Sequence, residues 1–155
     1  MYEFWIKCKP PRATGQATKK VGVRKNGKPF SYTSQRGKTL HSEFLSLFLP
    51  FVPMKPMEGP LYMEVRYALP FLSAEKKAVK EKGWTFHDKK PDADNLLKVL
   101  QDIMERLEFF EKGDSQIVSV KLTKIRSEFP GIGVKFYSAH NLNEFLVAGN
   151  KGEWR

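Results

Sequence analysis

Four charged side chains that could carry out chemistry are grouped in one short stretch of the sequence. Asp92 is followed by Asp94, Lys98 and Asp102, and on a helix the last three share one face. Pro91 suits the first turn of a helix, and short acids beside it suit an N-cap and the positive end of the helix dipole. The pattern therefore predicts a helix that begins near Asp92 and presents acid, base and acid to solvent.

Carboxylates in such a group need a positive partner. Two carboxylates about 4 Å apart repel by about 4 kcal/mol at an effective dielectric near 20. Hard oxygen ligands without clustered cysteine or histidine select Mg²⁺, with Mn²⁺ as a substitute, over zinc. Asp114, at the entrance of a later strand, is a further acid that helix capping would not require. In a basic protein, the simplest anion for such an ion to bridge to is a phosphate of DNA or RNA.

Two simpler explanations could account for these acids. A calcium-binding EF-hand loop is excluded because Leu96 and Leu97 stand where that loop needs an oxygen ligand and a glycine. Helix capping alone employs one or two acids and stays open as an alternative. It does not explain the spacing of Asp94 and Lys98 or the presence of Asp114.

The elements that position these residues follow from hydrophobic periodicity. The face of the acidic helix opposite its charges is apolar, and we expect this helix to end near Gly113. Further helices are expected over 37–49 and over 73–82, the second capped by Ser73, and a loop over 84–90. Strands are expected over 2–8, 61–69, 117–126 and 132–137, with the last as the antiparallel partner of the strand before it. The predicted fold class is α/β (α+β), a mixed β-sheet with packed helices.

Composition sets the broad class. The 155 residues fit one domain, 1–155, whose tail at about 140–155 has no clear pattern. Lys and Arg outnumber Asp and Glu by 27 to 17, for a net charge of +10, which suits a polyanionic partner, although solubility alone could explain it. Cys8 is the single cysteine, so no intramolecular disulfide is expected. With no membrane-length apolar run, we expect a soluble cytoplasmic protein.

A basic hairpin is expected before the first helix. Asn26-Gly27 lies between two strand-like runs and predicts a type I′ turn. Phe30 and Tyr32 could stack on exposed bases while the cations meet phosphates. A solvated loop is the alternative. The cations of this hairpin are Lys19, Lys20, Arg24, Lys25 and Lys28.

The stretch from 90 to 124 resembles the RusA-type Holliday junction resolvases. The resemblance is carried by Lys-Pro-Asp-Ala-Asp-Asn-Leu-Leu-Lys at 90–98, Asp102, Gly-Asp-Ser-Gln-Ile-Val at 113–118 and Lys124. It implies a Mg²⁺-dependent homodimer with an α/β fold that nicks two opposing strands of a four-way junction in a bacterial or phage-infected cell. One departure is Gly113, which stands where the family usually has the first acid of an Asp-Asp pair, and this leaves the number of metals open.

The resemblance also implies roles for single residues. Asp92, Asp94 and Asp114 would bind the metal, and Lys98 would be an essential catalytic cation. Asn95 and Asp102 match supporting positions, and Asp102 would position Lys98.

The remaining expectations concern DNA and the dimer. Lys89, Lys90 and Lys124 join the hairpin cations as predicted DNA contacts. Two other functions stay open, a non-catalytic DNA-binding recombination accessory protein and a nuclease for flaps or other branched DNA. The sequence leaves one apolar group open as either dimer surface or core: Phe44, Leu47, Phe48, Leu49 and Phe51.

Overall fold

Alternation along the segment after Pro60 produces the central strand of the fold. Every second residue from Leu61 to Leu69 is apolar and buried, which is the period of a strand with one face on a core. The structure, a computed structural model, describes residues 1–12 and 19–139. The predicted tail at 140–155 lies outside them.

Seven strands and three α-helices are described. The strands are β1 (Tyr2–Lys7), β2 (Lys19–Val23), β3 (Pro29–Thr33), β4 (Leu61–Pro70), β5 (Trp84–Phe86), β6 (Ile117–Ser127) and β7 (Gly131–Ser138). The α-helices are α1 (Gln35–Phe48), α2 (Lys77–Lys82) and α3 (Ala93–Arg106). Two short 3₁₀ helices, Leu49–Phe51 and Asp114–Gln116, complete the set. None of the described helices is long and apolar enough to cross a membrane.

The strands form one mixed sheet and one separate hairpin. The five-stranded sheet has the order β1-β7-β4-β6-β5. Strand β4 pairs parallel with β6 and antiparallel with β7, so the connection from β4 to β6 must cross over, and it contains α3. Strands β2 and β3 pair only with each other in the described part of the chain. The predicted mixed α/β class is confirmed.

Helices α1 and α3 supply the helical half of the core. Leu96, Leu100, Ile103 and Met104 are buried on α3 and join the inward side chains of β4 and β7 in one cluster. This is the apolar face that the sequence periodicity predicts. The sequence left five apolar residues, from Phe44 to Phe51, assignable to either a dimer surface or the core. Of these five, Leu49 alone is exposed. Phe44 and Phe48 are buried, while Leu47 and Phe51 pack against the core.

Several local predictions are wrong. The hairpin exists, but its turn is not type I′, because Gly27 has a positive φ (78°) and Asn26 does not. The bonds from Gly27 N–H to the Arg24 carbonyl and from Arg24 N–H to the Lys28 carbonyl enclose a three-residue loop, a type I turn followed by a left-handed glycine.

Two predicted boundaries and one strand pairing also differ. Helix α2 begins after Lys76 rather than Ser73, and the predicted loop over 84–90 contains β5. Strand β5 was missed because three residues are too few to show a period. Strand β7 does not pair with β6; β4 lies between them, a long-range arrangement that a local turn signal cannot reveal.

Helix α3 ends seven residues before the predicted stop at Gly113. Glu108 has φ 58°, and its N–H donates to the Glu105 carbonyl while Phe109 N–H donates to the Met104 carbonyl. These two bonds make a Schellman cap with Glu108 in the left-handed position that usually holds glycine. The sequence gives no glycine signal there, so the early stop could not be read from it.

We expect Glu108→Gly to stabilise the protein by about 1 kcal/mol, because glycine adopts the left-handed region without the Cβ clash. Urea denaturation would measure the free energy of unfolding. Glu108→Ala is the control, since alanine removes the same charge but keeps the clash. An equal gain from alanine would show that charge, rather than backbone conformation, is responsible.

Candidate metal and DNA site

The segment before α3 is built around one buried histidine and one lysine. His87 is buried, its backbone N–H donates to the Lys124 carbonyl, and its Nε2 lies 3.0 Å from the Lys90 carbonyl oxygen. The Lys124 ammonium donates to the carbonyls of Lys89 (2.9 Å) and Pro91 (2.7 Å). Three consecutive carbonyls are therefore each held by a side chain of the sheet region. This arrangement fixes the approach of the chain to Asp92.

Asp92 and Asp94 lie at the open N-terminal end of α3. Asp92 is the N-cap residue, and its carbonyl accepts the first helical bond, from Leu96 N–H. Its carboxylate makes no capping bond to the backbone but accepts a long contact from Asn95 Nδ2 at 3.5 Å. Asp94 is exposed in the first turn. Helix capping by side chain, the simpler interpretation of these acids, is therefore not how Asp92 is used.

Lys98 follows one turn after Asp94 and is exposed. Among the described residues, neither Asp94 nor Asp102 forms an ion pair with it. Asp102 and Lys98 both lie on the exposed face of α3, and the role of Asp102 in positioning Lys98 stays a prediction. The ammonium of Lys98 is thus available to an anion.

Asp114 lies at the opposite end of α3. It begins the 3₁₀ helix after Gly113, which has φ 81°. A Cβ placed on Gly113 would stand 2.5 Å from Glu105 Oε1, so this turn packs against the last turns of α3. Since a helix rises about 1.5 Å per residue, the eleven residues from Asp94 to Glu105 span about 16 Å. One chain does not bring Asp114 to the other two acids.

The acids at the start of α3 fit a magnesium ion as donors. Within residues 1–12 and 19–139, no three His, Cys, Asp or Glu side chains of one chain are arranged to hold a metal. Mg²⁺ is commonly held by one or two carboxylates together with waters and substrate phosphates. The exposed oxygens of Asp92 and Asp94 match that donor set, and the metal ligands predicted from the sequence stay a prediction.

Comparison with known proteins assigns the chain to a family. The family model described as Endodeoxyribonuclease RusA matches residues 10–137. The chain belongs to the RusA endodeoxyribonuclease family. The matched residues include strands β2 to β6, most of β7 and all three α-helices.

Two curated relatives were found. The "Uncharacterized protein YqaN" of Bacillus subtilis (strain 168) is 36% identical over 87 residues, 53% of this chain and 60% of that protein. The "Crossover junction endodeoxyribonuclease rusA" of Lactococcus phage r1t is 41% identical over 49 residues, 32% of this chain and 37% of that protein. The chain thus spans less than two thirds of each of these relatives.

Gln116 has a structural role near this RusA-family site. It is part of the motif at 113–118, but the sequence does not reveal that role. It is buried, and its Nε2 donates to the carbonyls of Gly59 (2.8 Å) and Met57 (3.1 Å) while its Oε1 accepts from Lys112 N–H. The Gln116 amide thereby links the loop before β4 to the turn that contains Asp114. A glutamine after an aspartate and a serine gives no signal of burial, so only its hydrogen-bond partners identify its role.

We expect Gln116→Leu to destabilise the protein by about 1–3 kcal/mol, because the Gly59 carbonyl and the Lys112 N–H lose their partner, while the Met57 carbonyl keeps only its bond from Glu111 N–H. Urea denaturation followed by circular dichroism would measure the change in the free energy of unfolding. Ser115→Ala is the matched control in the same turn; its hydroxyl is exposed and makes one bond, to the Lys112 carbonyl, so we expect a change within about 0.5 kcal/mol. Equal effects of the two changes would contradict this role.

The predicted DNA-contacting cations fall into three positions. Lys89 and Lys90 are exposed in the segment just before Asp92. Lys124 is half-buried and uses its ammonium to hold that segment. The remaining predicted contacts lie on the hairpin: Lys19 and Lys20 in β2, with Arg24, Lys25 and Lys28 around its turn.

Proposed function

We propose that this RusA-family protein is a Mg²⁺-dependent endodeoxyribonuclease that resolves four-way (Holliday) DNA junctions by paired symmetric nicks, in DNA recombination and repair. The observation that carries the proposal is the open end of α3, where Asp92 and Asp94 are exposed and Lys98 forms no ion pair within the described residues. The substrate is taken from the name of the phage relative, a crossover junction endodeoxyribonuclease.

Each residue at this end of α3 has a separate role in the proposed reaction. Asp92 and Asp94 would hold the ion, which when bound lowers the pKa of a water molecule and offsets charge on the phosphate. The Lys98 ammonium binds a non-bridging oxygen of the scissile phosphate and stabilises the negative charge that grows there during attack. Asn95, in contact with the Asp92 carboxylate, limits the rotation of that ligand.

A homodimer would complete the site. Asp114 is about one helix length from Asp94 in its own chain, so the third carboxylate has to come from elsewhere if three acids share one ion. In a two-fold dimer, Asp114 of the partner subunit could lie beside Asp92 and Asp94. By symmetry, each of the two sites would then receive its third carboxylate from the other protomer. Two such sites related by two-fold symmetry match a four-way junction, whose two cuts are also symmetric.

The experiment is incubation of a labelled four-way junction with and without Mg²⁺, beside linear duplex, flap and single-stranded controls. We expect paired nicks on the junction that require the ion. Binding without cleavage would instead favour a recombination accessory protein. Faster cleavage of flaps than of junctions would assign a different branched substrate.

A further inference from the structure

The hairpin β2–β3 presents two different faces. Strand pairing sets Gly22 opposite Phe30 and Val21 opposite Ser31, and because side chains alternate along a strand, neighbouring pairs point to opposite sides. Gly22, Phe30 and Tyr32 therefore share one face, which we call the aromatic face. Val21 and Val23 share the other. Both faces are exposed, so the hairpin buries neither of them in the core.

Close packing orders the aromatic face. The Phe30 ring lies across Gly22, where a Cβ would come within 2.9 Å of two ring atoms. The centroids of the Phe30 and Tyr32 rings are 5.7 Å apart with an angle of 32° between the planes. The Arg24 guanidinium lies over Phe30, 5.7 Å from its centroid, within the range of a cation–π contact. The absence of a side chain at Gly22 thus leaves room for the Phe30 ring, which a Cβ at this position would displace.

The two rings are held in place but remain open to solvent. Phe30 is 38% exposed and Tyr32 46% exposed. Ordered aromatic rings that stay exposed provide surfaces on which other flat groups can stack. The segment 19–33 also contains five Lys or Arg residues and no Asp or Glu. Its charge complements a polyanion, and its rings complement the faces of nucleobases.

We infer that the aromatic face stacks on base faces left uncovered at the branch point of DNA, while the cations around it bind the adjoining phosphates. The inference rests on the proposed function, since it names the feature by which branched DNA is told from linear duplex. Bases inside a linear duplex already stack on each other and offer no free face, whereas bases at a strand exchange point can. Stacking on an aromatic side chain contributes about 5- to 150-fold in affinity per base and tolerates any sequence.

The test compares the two faces of the hairpin in metal-free buffer with EDTA, where binding is measured without cleavage. We expect Phe30→Leu/Tyr32→Leu to weaken binding to a four-way junction about tenfold or more and binding to linear duplex less than about threefold. Val21→Thr/Val23→Thr, which changes the other face, should leave both affinities within about twofold. Phe30→Trp should keep the preference for the junction, because indole also stacks.

A base analogue reports the contact directly. The fluorescence of 2-aminopurine at the branch point should change when the wild type binds and should stay unchanged with Phe30→Leu/Tyr32→Leu. Equal thermal unfolding of all variants would establish that the core is intact. The inference is overturned if the aromatic variant keeps both the junction preference and the signal, or if the valine variant loses as much.

The binding readout is independent of catalysis. If junctions are cut in Mg²⁺ but the aromatic variant binds like the wild type, the inference fails and the proposed nuclease stands. If the aromatic face governs branch binding but no strand is cut, the inference stands and the nuclease proposal fails. If the wild type binds junction and duplex equally, the inference fails, and the cleavage assay decides the proposed function separately.

Discussion

Asp94→Asn is expected to lower the rate of Mg²⁺-dependent junction cleavage by about 100-fold or more, while junction binding stays within about threefold. Asn keeps the shape of the side chain and removes the negative charge that would hold the ion, so catalysis is lost and the DNA-binding surface is retained. Single-turnover cleavage of a labelled four-way junction would measure the rate, and a gel-shift assay in EDTA the affinity.

Glu81→Gln is the matched control for Asp94→Asn. Glu81 is exposed on α2 and pairs only with the exposed Lys77 among the described residues, so the same change in net charge is made away from α3. We expect cleavage within about twofold of the wild type. If Asp94→Asn cuts the junction as fast as this control, the assignment of Asp94 as a metal ligand is wrong.

Mixed dimers of Asp94→Asn and Asp114→Asn chains are expected to recover cleavage that both homodimers lack. If each site joins Asp94 of one protomer to the partner's Asp114, the mixed dimer has one site with both changes and one site with none. We expect that intact site to make single nicks, whereas the wild type makes paired nicks. Co-expression of two differently tagged chains and sequential affinity purification would provide the mixed dimer.

A mixed dimer of Asp92→Asn and Asp94→Asn chains is the control for this exchange. Both changes affect acids at the same end of α3, so every site in that dimer is damaged and no recovery is expected. Recovery in this control would mean that the two acids do not serve one ion. An inactive dimer of Asp94→Asn with Asp114→Asn would instead show that each protomer builds its own site.

The start of α3 and its two faces could be predicted from the sequence. Pro91 and the acids after it mark the first turn, and the 3.6-residue period of the apolar side chains separates the core face from the charged face. The end of the helix could not, because Glu108 occupies a left-handed position that sequence patterns assign to glycine. Capping residues and hydrophobic period therefore predicted the start and the faces of α3, where the residue types suit the backbone conformation, but not its end.

The relation between Asp94 and Asp114 is a different kind of problem. Both lie in one recognisable motif, but their distance depends on β6 returning along the sheet beneath α3, with Lys124 beside the start of the helix and Asp114 beside its end. The pairing of β4 with both β6 and β7 is also long-range. Gln116 and His87 likewise acquire their roles from partners distant in sequence. These features arise from tertiary packing and are invisible to periodicity.

Cleavage of a supercoiled plasmid with an extruded cruciform tests the central claim most directly. The cruciform base is a four-way junction that is lost once a single nick relaxes the supercoil, so a linear product requires two cuts made within the lifetime of one complex. With Mg²⁺, we expect the wild type to give mainly linear plasmid, and a plasmid without the inverted repeat to stay supercoiled. Uncut plasmid, or equal cutting of both plasmids, would contradict the proposed junction-resolving nuclease.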